Sequence, residues 1–403
     1  MRPRHQQHPL TAFPVYSCSF LAPNQFVLGG GGGATKSGIK NKLRLYETSD
    51  DLSIQLQDEF ELEKGEDAPM SMAVWPEDGS IVCGINSVLE QMEAGQNENC
   101  RLFSVVNSKL NFINKRGTLP QGDLEDYQAN GKFLAVAGSH DLSLFSYPSL
   151  ELLGKPIHCE KEIYDASFSS TSLLIATTHN LLVYALPNFS SSISEKTTTS
   201  PAAKGKKKST SISNGQSEKS QSFELQKTID IPSVVGEGST FRNAKFHPSD
   251  ESVLYTVINT TSPRKKQART ASRHASICIW DTKTWNVTKS RKVGDRGLTC
   301  FDVSADGLYL AYGSSDLSIG MLDSKTLSPV FNILKAHEFP PTVIKFNPTT
   351  TTLVSGSADN SIRVVAIPAA VKDSSWTLFW IVLAIIIVML AIAAQQLDGK
   401  YLW

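Results

Sequence analysis

The chain has 403 residues, with 39 Lys and Arg balanced against 39 Asp and Glu, so it carries no formal net charge and is not expected to bind nucleic acid. The six cysteines (Cys18, Cys83, Cys100, Cys159, Cys278 and Cys300) show neither paired metal-ligand spacing nor a dense framework. They read as reduced core residues, which argues against zinc and structural disulfides.

Met1 to Pro9 is basic and polar with no apolar stretch behind it, so no secretory signal is read there and the large N-terminal part is expected to stay in the cytosol. Next comes a strand-like segment, Gln25-Phe26-Val27-Leu28, which runs into five glycines, Gly29 to Gly33. The chain leaves this loop through Gly38-Ile39-Lys40-Asn41 and then alternates polar and apolar residues over Lys42-Leu43-Arg44-Leu45-Tyr46. The glycines therefore lie between two strands. Gly29-x-Gly31-x-x-Ala34 matches the spacing of a dinucleotide fingerprint, but that device works by aiming a helix N-terminus at a pyrophosphate, and no helix signal follows. A phosphate-cradling loop fails too, because Thr35 stands where the motif before Lys36-Ser37 requires glycine. Five consecutive glycines are costly to order. Such a loop suits close approach of its backbone by an ion or a partner.

Beyond the loop, units of three strands separated by turns recur roughly every 40 to 50 residues, the period of propeller blades. Tyr16 to Tyr46, Met70 to Phe103, Asp126 to Tyr147 and Ile163 to Leu186 each supply a first, second and third strand. Three clearer copies follow: Phe241 to Asp281, ending on the signature Trp280-Asp281, then Leu298 to Asp323, then one that starts at Ala336-His337 and runs through Val343 to Val365. The pattern Ser-x-Asp-x-Ser-Ile recurs in the last two. Ring closure needs a strand from one terminus to complete a sheet begun at the other, and Leu10 to Val15 is expected to lie beside Ser361 to Ile367.

Two insertions interrupt the repeats. One, at about 190–222, is rich in Ser, Thr, Lys and Gly and is expected to be disordered; the other, at about 262–274, is basic. Their clusters, Lys204 to Lys208 and Arg264 to Arg273, read as solvated, phosphorylatable insertions rather than binding grooves. The sequons at Asn188, Asn259 and Asn286 are expected to stay unmodified in a cytosolic domain. After a linker at 369–375, Trp376 to Ala394 contains no charge and would extend about 28 Å as a helix, the length of a membrane span. Trp376, Trp380, Tyr401 and Trp403 flank it as interfacial aromatics do. The expected architecture is all-β: a seven-bladed WD-repeat β-propeller over 1–368, a single transmembrane helix at 376–394 and a lumenal tail at 395–403. The shortness of the span suits the thinner endoplasmic reticulum bilayer.

A seven-bladed propeller, a glycine loop that continues into Gly38-Ile39-x-Asn41 in its first blade, and a single C-terminal membrane helix resemble the endoplasmic reticulum guanine-nucleotide exchange factors for the Sar-family GTPase. The resemblance covers essentially the whole chain, and the loop is its specific part. It implies exchange of GDP for GTP on that small GTPase, which starts COPII coat assembly and vesicle budding, with no covalent chemistry by the protein itself. It also implies a structural potassium ion held by carbonyls of Gly30, Gly31, Gly32, Gly33 and Ala34 and by the Asn41 side chain. Gly38, Ile39 and Lys40 would then form the tip that, with Asn41, acts on the GTPase. Lys40 stands where some relatives carry proline. The alternative is a membrane-tethered WD-repeat scaffold without exchange activity, for which the loop is a spacer.

Overall fold

A computed structural model describes residues 3–35, 37–75, 78–119, 124–129, 133–147, 149–186, 223–261, 273–368 and 383–389. Among them the chain forms seven four-stranded antiparallel sheets, six built from consecutive strands and the seventh shared between the two ends of the propeller. The first sheet comprises β2 (Val15–Ala22), β3 (Gln25–Gly30), β4 (Lys42–Thr48) and β5 (Ile54–Glu61). The expected seven-bladed arrangement is thus present, with each anticipated three-strand unit forming one blade.

Burial explains why these segments are strands. Within a blade the second and third strands are covered on both faces, so Gln25–Gly30 is buried at every position after its first. The fourth strand lies at the rim, as in Asn286–Gly294, where exposed and half-buried residues predominate. Apolar residues pack between neighbouring sheets rather than along a central axis. Val27, Leu43 and Leu45 of the first sheet join Met72, Ile81 and Phe103 of the second in one cluster, and Phe26 and Leu28 meet Val354 and Val364 of the last in another. All six cysteines are buried in this core and none forms a disulfide.

The inner strands are also bridged from blade to blade. Asp302 Oδ2 accepts a hydrogen bond from the Phe346 N–H at 3.0 Å while Lys345 Nζ lies 3.3 Å from its Oδ1. Asp165 repeats this with the Ala244 N–H and Lys245. In the last two blades the Ser-x-Asp-x-Ser pattern forms the tight turn between the second and third strands. Asp359 accepts from both the N–H and the hydroxyl of Ser361, and Asp316 does the same for Ser318. Buried His337 approaches Ser355 at 2.8 Å and Asp359 at 3.3 Å, fixing this turn to the strand before it. Trp280 of the signature dipeptide donates to Thr256 Oγ1 at 2.8 Å.

Ring closure occurs beside Ser361–Ala366, but the closing strand is β1 (His5–Pro9), paired from His5↔Val365 to Pro9↔Ser361, and not Leu10 to Val15. The apolar character that suggested the later segment serves the core instead: Leu10, Phe13 and Val15 are buried between the first and last sheets. A rim strand needs no apolar face, and β1 is largely exposed. The third strand of the fifth blade begins at Arg273, inside the range expected for the basic insertion, because Arg273 and His274 pair with Thr261 and Thr260.

The insertion at 190–222, with Lys204 to Lys208, lies outside the described residues, as do residues 262–272. The chain divides into two compact units, Met1–Ala366 and Ile367–Trp403. In the second, residues 383–389 are helical, with Ile385, Ile387 and Met389 exposed. Among the described residues no helix is long and apolar enough to cross a membrane. The remainder of 376–394 lies outside them.

Candidate functional site

The glycine loop occupies residues 31–41, between β3 and β4, with Gly30↔Lys42 as the last paired register below it. The chain continues directly into a strand, so the loop is not the preface to a helix. Lys36 lies outside the described residues.

Close packing accounts for the glycines at its base. A Cβ on Gly29 would stand 2.3 Å from Ser17 Oγ, and one on Gly30 would stand 2.2 Å from the Pro14 carbonyl oxygen. Gly31, at φ +140°, donates its N–H to that same Pro14 carbonyl at 3.0 Å. A Cβ there would meet Asn41 Oδ1 at 2.2 Å and the Lys40 carbonyl oxygen at 2.7 Å. Side chains are thus excluded from the path where the chain leaves β3.

Asn41 is buried at the other base of the loop. Its Oδ1 accepts from the Gly33 N–H at 2.9 Å, and its Nδ2 donates to the Gly33 carbonyl at 3.0 Å and to the Glu66 carbonyl at 2.7 Å. Both amide hydrogens are used. Thr35 Oγ1 donates to the Gly32 carbonyl at 2.6 Å, and the Ala34 N–H donates to Asp67 Oδ1 at 3.1 Å. Six hydrogen bonds therefore pin a loop whose composition alone would leave it mobile.

The tip is presented outward. Gly38 and Lys40 are exposed and Ile39 is half-buried, with its N–H donating to Ser37 Oγ at 3.3 Å. Lys40 pairs with Glu61 at 2.6 Å, and this hydrogen bond holds the exposed Glu61 carboxyl below the usual carboxylate range. Beneath it, Lys42 and Arg44 both reach Glu59. Burial opposes the charge on Glu59, but hydrogen bonds from Lys42 and Arg44 outweigh it and lower the pKa. Arg44 also lies over the Phe13 ring, 4.1 Å from its centroid. The base of the tip is in this way tied to the β4–β5 ladder.

Glu66 and Asp67 escape a reading of the sequence, since Glu63-Lys64-Gly65-Glu66-Asp67 resembles any solvated charged turn. Glu66 is nevertheless buried, pairing with buried Arg101 at 2.7 Å. Nothing local in the sequence signals a partner that is supplied by the next blade. Among the described residues no group of three or more His, Cys, Asp or Glu side chains could hold a metal ion, whereas the loop offers neutral carbonyl and amide oxygens.

Residues 328–365 match the WD domain, G-beta repeat family. The chain is 24% identical over 348 residues to SEC12-like protein 2 of Arabidopsis thaliana, covering 82% of this chain and 73% of that protein. It is 22% identical over 407 residues to the guanine nucleotide-exchange factor SEC12 of Candida glabrata, covering 96% of this chain and 78% of that protein. Among solved structures, the WD40 β-propeller domain of Doa1 superimposes with a TM-score of 0.59 at 10% identity, over 92% of this chain and 99% of that one. That last likeness concerns the fold alone.

Proposed function

We infer that this chain is a Sec12-type WD-repeat protein and a guanine-nucleotide exchange factor, and we propose that the GTPase it serves belongs to the Sar family. The observation that carries the reading is the loop between the second and third strands of the first blade, its tip exposed and its base clamped by Asn41. Exchange requires a surface that binds the nucleotide-free GTPase better than the nucleotide-bound form, and so shifts the population toward release. A loop already ordered loses little freedom on contact, leaving more of its interaction energy to separate the two states. In this role Gly38, Ile39 and Lys40 meet the GTPase, and Asn41 sets their position.

The donor set fits a potassium ion. Carbonyl oxygens of Gly30, Gly31, Gly32, Gly33 and Ala34 and the Asn41 amide oxygen are hard and uncharged. Each carbonyl already engaged in one hydrogen bond retains a second lone pair. The absence of Cβ atoms lets the backbone close on Asn41 Oδ1. When bound, the ion supplies electrostatic cross-linking of these oxygens. Asn41, Thr35 and Asp67 hold the loop from the protein side.

The same reading assigns 376–394 to a span of the endoplasmic reticulum membrane, with the propeller cytosolic, 395–403 lumenal, and exchange at that surface initiating COPII assembly. The test is GDP release from a fluorescently loaded Sar-family GTPase, with the full chain reconstituted in lipid vesicles and assayed in potassium and in lithium. Acceleration that falls in lithium and on Asn41→Ala is expected. A folded chain that leaves GDP release unchanged would overturn exchange on this GTPase and leave a tethered scaffold.

A further inference from the structure

The segment that carries the chain from the first blade into the second, residues 62–70, grips the glycine loop at two separate points. Glu66 offers its carbonyl to Asn41 Nδ2 at 2.7 Å, and Asp67 offers Oδ1 to the Ala34 N–H at 3.1 Å. The two contacts lie on opposite arms of the loop, one at its return into β4 and one past the glycine run. Neither belongs to the loop itself, and both come from one dipeptide.

That dipeptide is held from behind by the second blade. Glu66 pairs with Arg101 at 2.7 Å with both side chains about nineteen-twentieths buried, and its Oε2 accepts from the Glu63 N–H at 3.0 Å. Arg101 Nε is spent on the Glu98 carbonyl at 2.6 Å. The Asp67 N–H donates to the Asn86 carbonyl at 3.1 Å, and Asn86 Nδ2 returns a contact to Asp67 Oδ2 at 3.4 Å. Asn97 then fixes Asn86 by donating to its Oδ1 at 2.9 Å. The connection at 85–99 that carries these groups is itself long, where the third, fourth, sixth and seventh blades make a short turn. A paired charge buried this deeply is costly unless its geometry is well satisfied, and removing one partner is more costly still. Such an arrangement resists displacement.

We propose that Glu66 and Asp67, braced by Arg101 and the 85–99 excursion, form a positioning platform that sets the conformation of the exchange loop, so that the second blade governs the activity of a tip carried by the first. The proposal rests on the exchange reading above for its functional consequence, though not for its structural content. Asp67 acts through the Ala34 N–H and Glu66 acts through Asn41. Both are positioning residues and neither is required to touch the GTPase.

Asp67 gives the cleaner test, because its carboxylate is at the surface side of the platform and Asp67→Asn keeps an acceptor oxygen while removing the charge. Amide hydrogen exchange of Gly33 and Ala34 is measured in the full chain, together with GDP release from the Sar-family GTPase and thermal unfolding. Asp67→Ala is expected to speed exchange at the Ala34 amide about tenfold or more, as one charge-assisted hydrogen bond is lost. It should also lower the maximal GDP-release rate several-fold at saturating GTPase with unfolding unchanged, and Asp67→Asn, which keeps an acceptor for the Ala34 N–H but no charge and sets its own NH2 against Asn86 Nδ2, should restore part of each. Arg101→Lys, which keeps the buried charge but loses the planar fork, is expected to loosen Gly33 as well. Unaltered Gly33 and Ala34 protection in Asp67→Ala and Arg101→Lys overturns the platform. If the wild-type chain fails to release GDP, the exchange reading falls, and the amide measurement still decides whether the platform orders the loop.

Discussion

The Asn41 carboxamide engages both backbone polar groups of Gly33, accepting from its N–H at 2.9 Å and donating to its carbonyl at 3.0 Å. Eight residues apart in sequence, the two behave as one cross-linked unit. The remaining amide hydrogen is committed to Glu66. Asn41→Ala removes all three contacts and strands the Glu66 carbonyl in a buried place. It should reduce GDP release at least tenfold and lower stability by about 1–3 kcal/mol, read by nucleotide release and urea unfolding. Asn41→Asp keeps an acceptor for Gly33 but places an anion against two carbonyls, and is expected to be at least as damaging to exchange.

Two glycines of the same loop should respond differently to a methyl group. At Gly31 the added Cβ collides with the backbone of Lys40 and Asn41, which cannot move aside without opening the loop. At Gly38 it meets nothing within 4 Å, leaving only the strain of φ +77°, about 1 kcal/mol. Gly31→Ala is therefore expected to abolish acceleration of GDP release, and Gly38→Ala to retain a measurable part of it. Equal loss in both would show that the base of the loop is not where its shape is decided.

Burial lowers the pKa of His337 below its ordinary value, Asp359 opposes this and Arg363 reinforces it, and the net shift is downward. Because the folded protein then binds this proton less readily than the unfolded chain, stability should be full above pH 6.5 and decline as pH falls below it, flattening once the folded-state pKa is passed. Urea midpoints between pH 8 and pH 5 test this. His337→Gln should flatten that part of the profile at some cost in stability at neutral pH.

Deleting residues 1–9 removes β1 and with it the hydrogen bonds from Arg363 to Gln7 and His5. It also leaves Ser361–Ala366 as an unpaired edge rich in apolar residues. A lower unfolding temperature and concentration-dependent self-association are expected, the first by calorimetry and the second by size-exclusion chromatography.

The blades were legible because inner strands covered on both faces must be apolar, and segments such as Tyr309–Ser314 and Thr352–Ser357 repeat that demand at a regular interval. The polar outer strand β1 was not, because a rim position places no such demand on His5-Gln6-Gln7-His8-Pro9. The loop announced itself through its glycines, and Asn41 was identified through resemblance to a family rather than through any local rule. Glu66 was invisible for a different reason. Whether an acidic residue is solvated or buried depends on what faces it, and Arg101 stands a whole blade away in sequence. Asn259 illustrates the same limit: it reads as a glycosylation acceptor, yet its amide is occupied by both backbone groups of Leu298 at the start of the next blade.

The last strand, Ser361–Ala366, is the point from which the chain departs the propeller, and it is bonded along one side to Thr352–Ser357 and along the other to β1. Its final N–H still donates to the Arg4 carbonyl at 2.9 Å. Ladder bonds run across the strands, so tension drawn along this strand loads both rows in parallel instead of peeling them one after another. The exit of the chain is consequently a shear joint. A pull on the segment beyond residue 366 is shared by the oldest and youngest parts of the propeller, its first strand and its last, and the ring must slide along two seams before it can open.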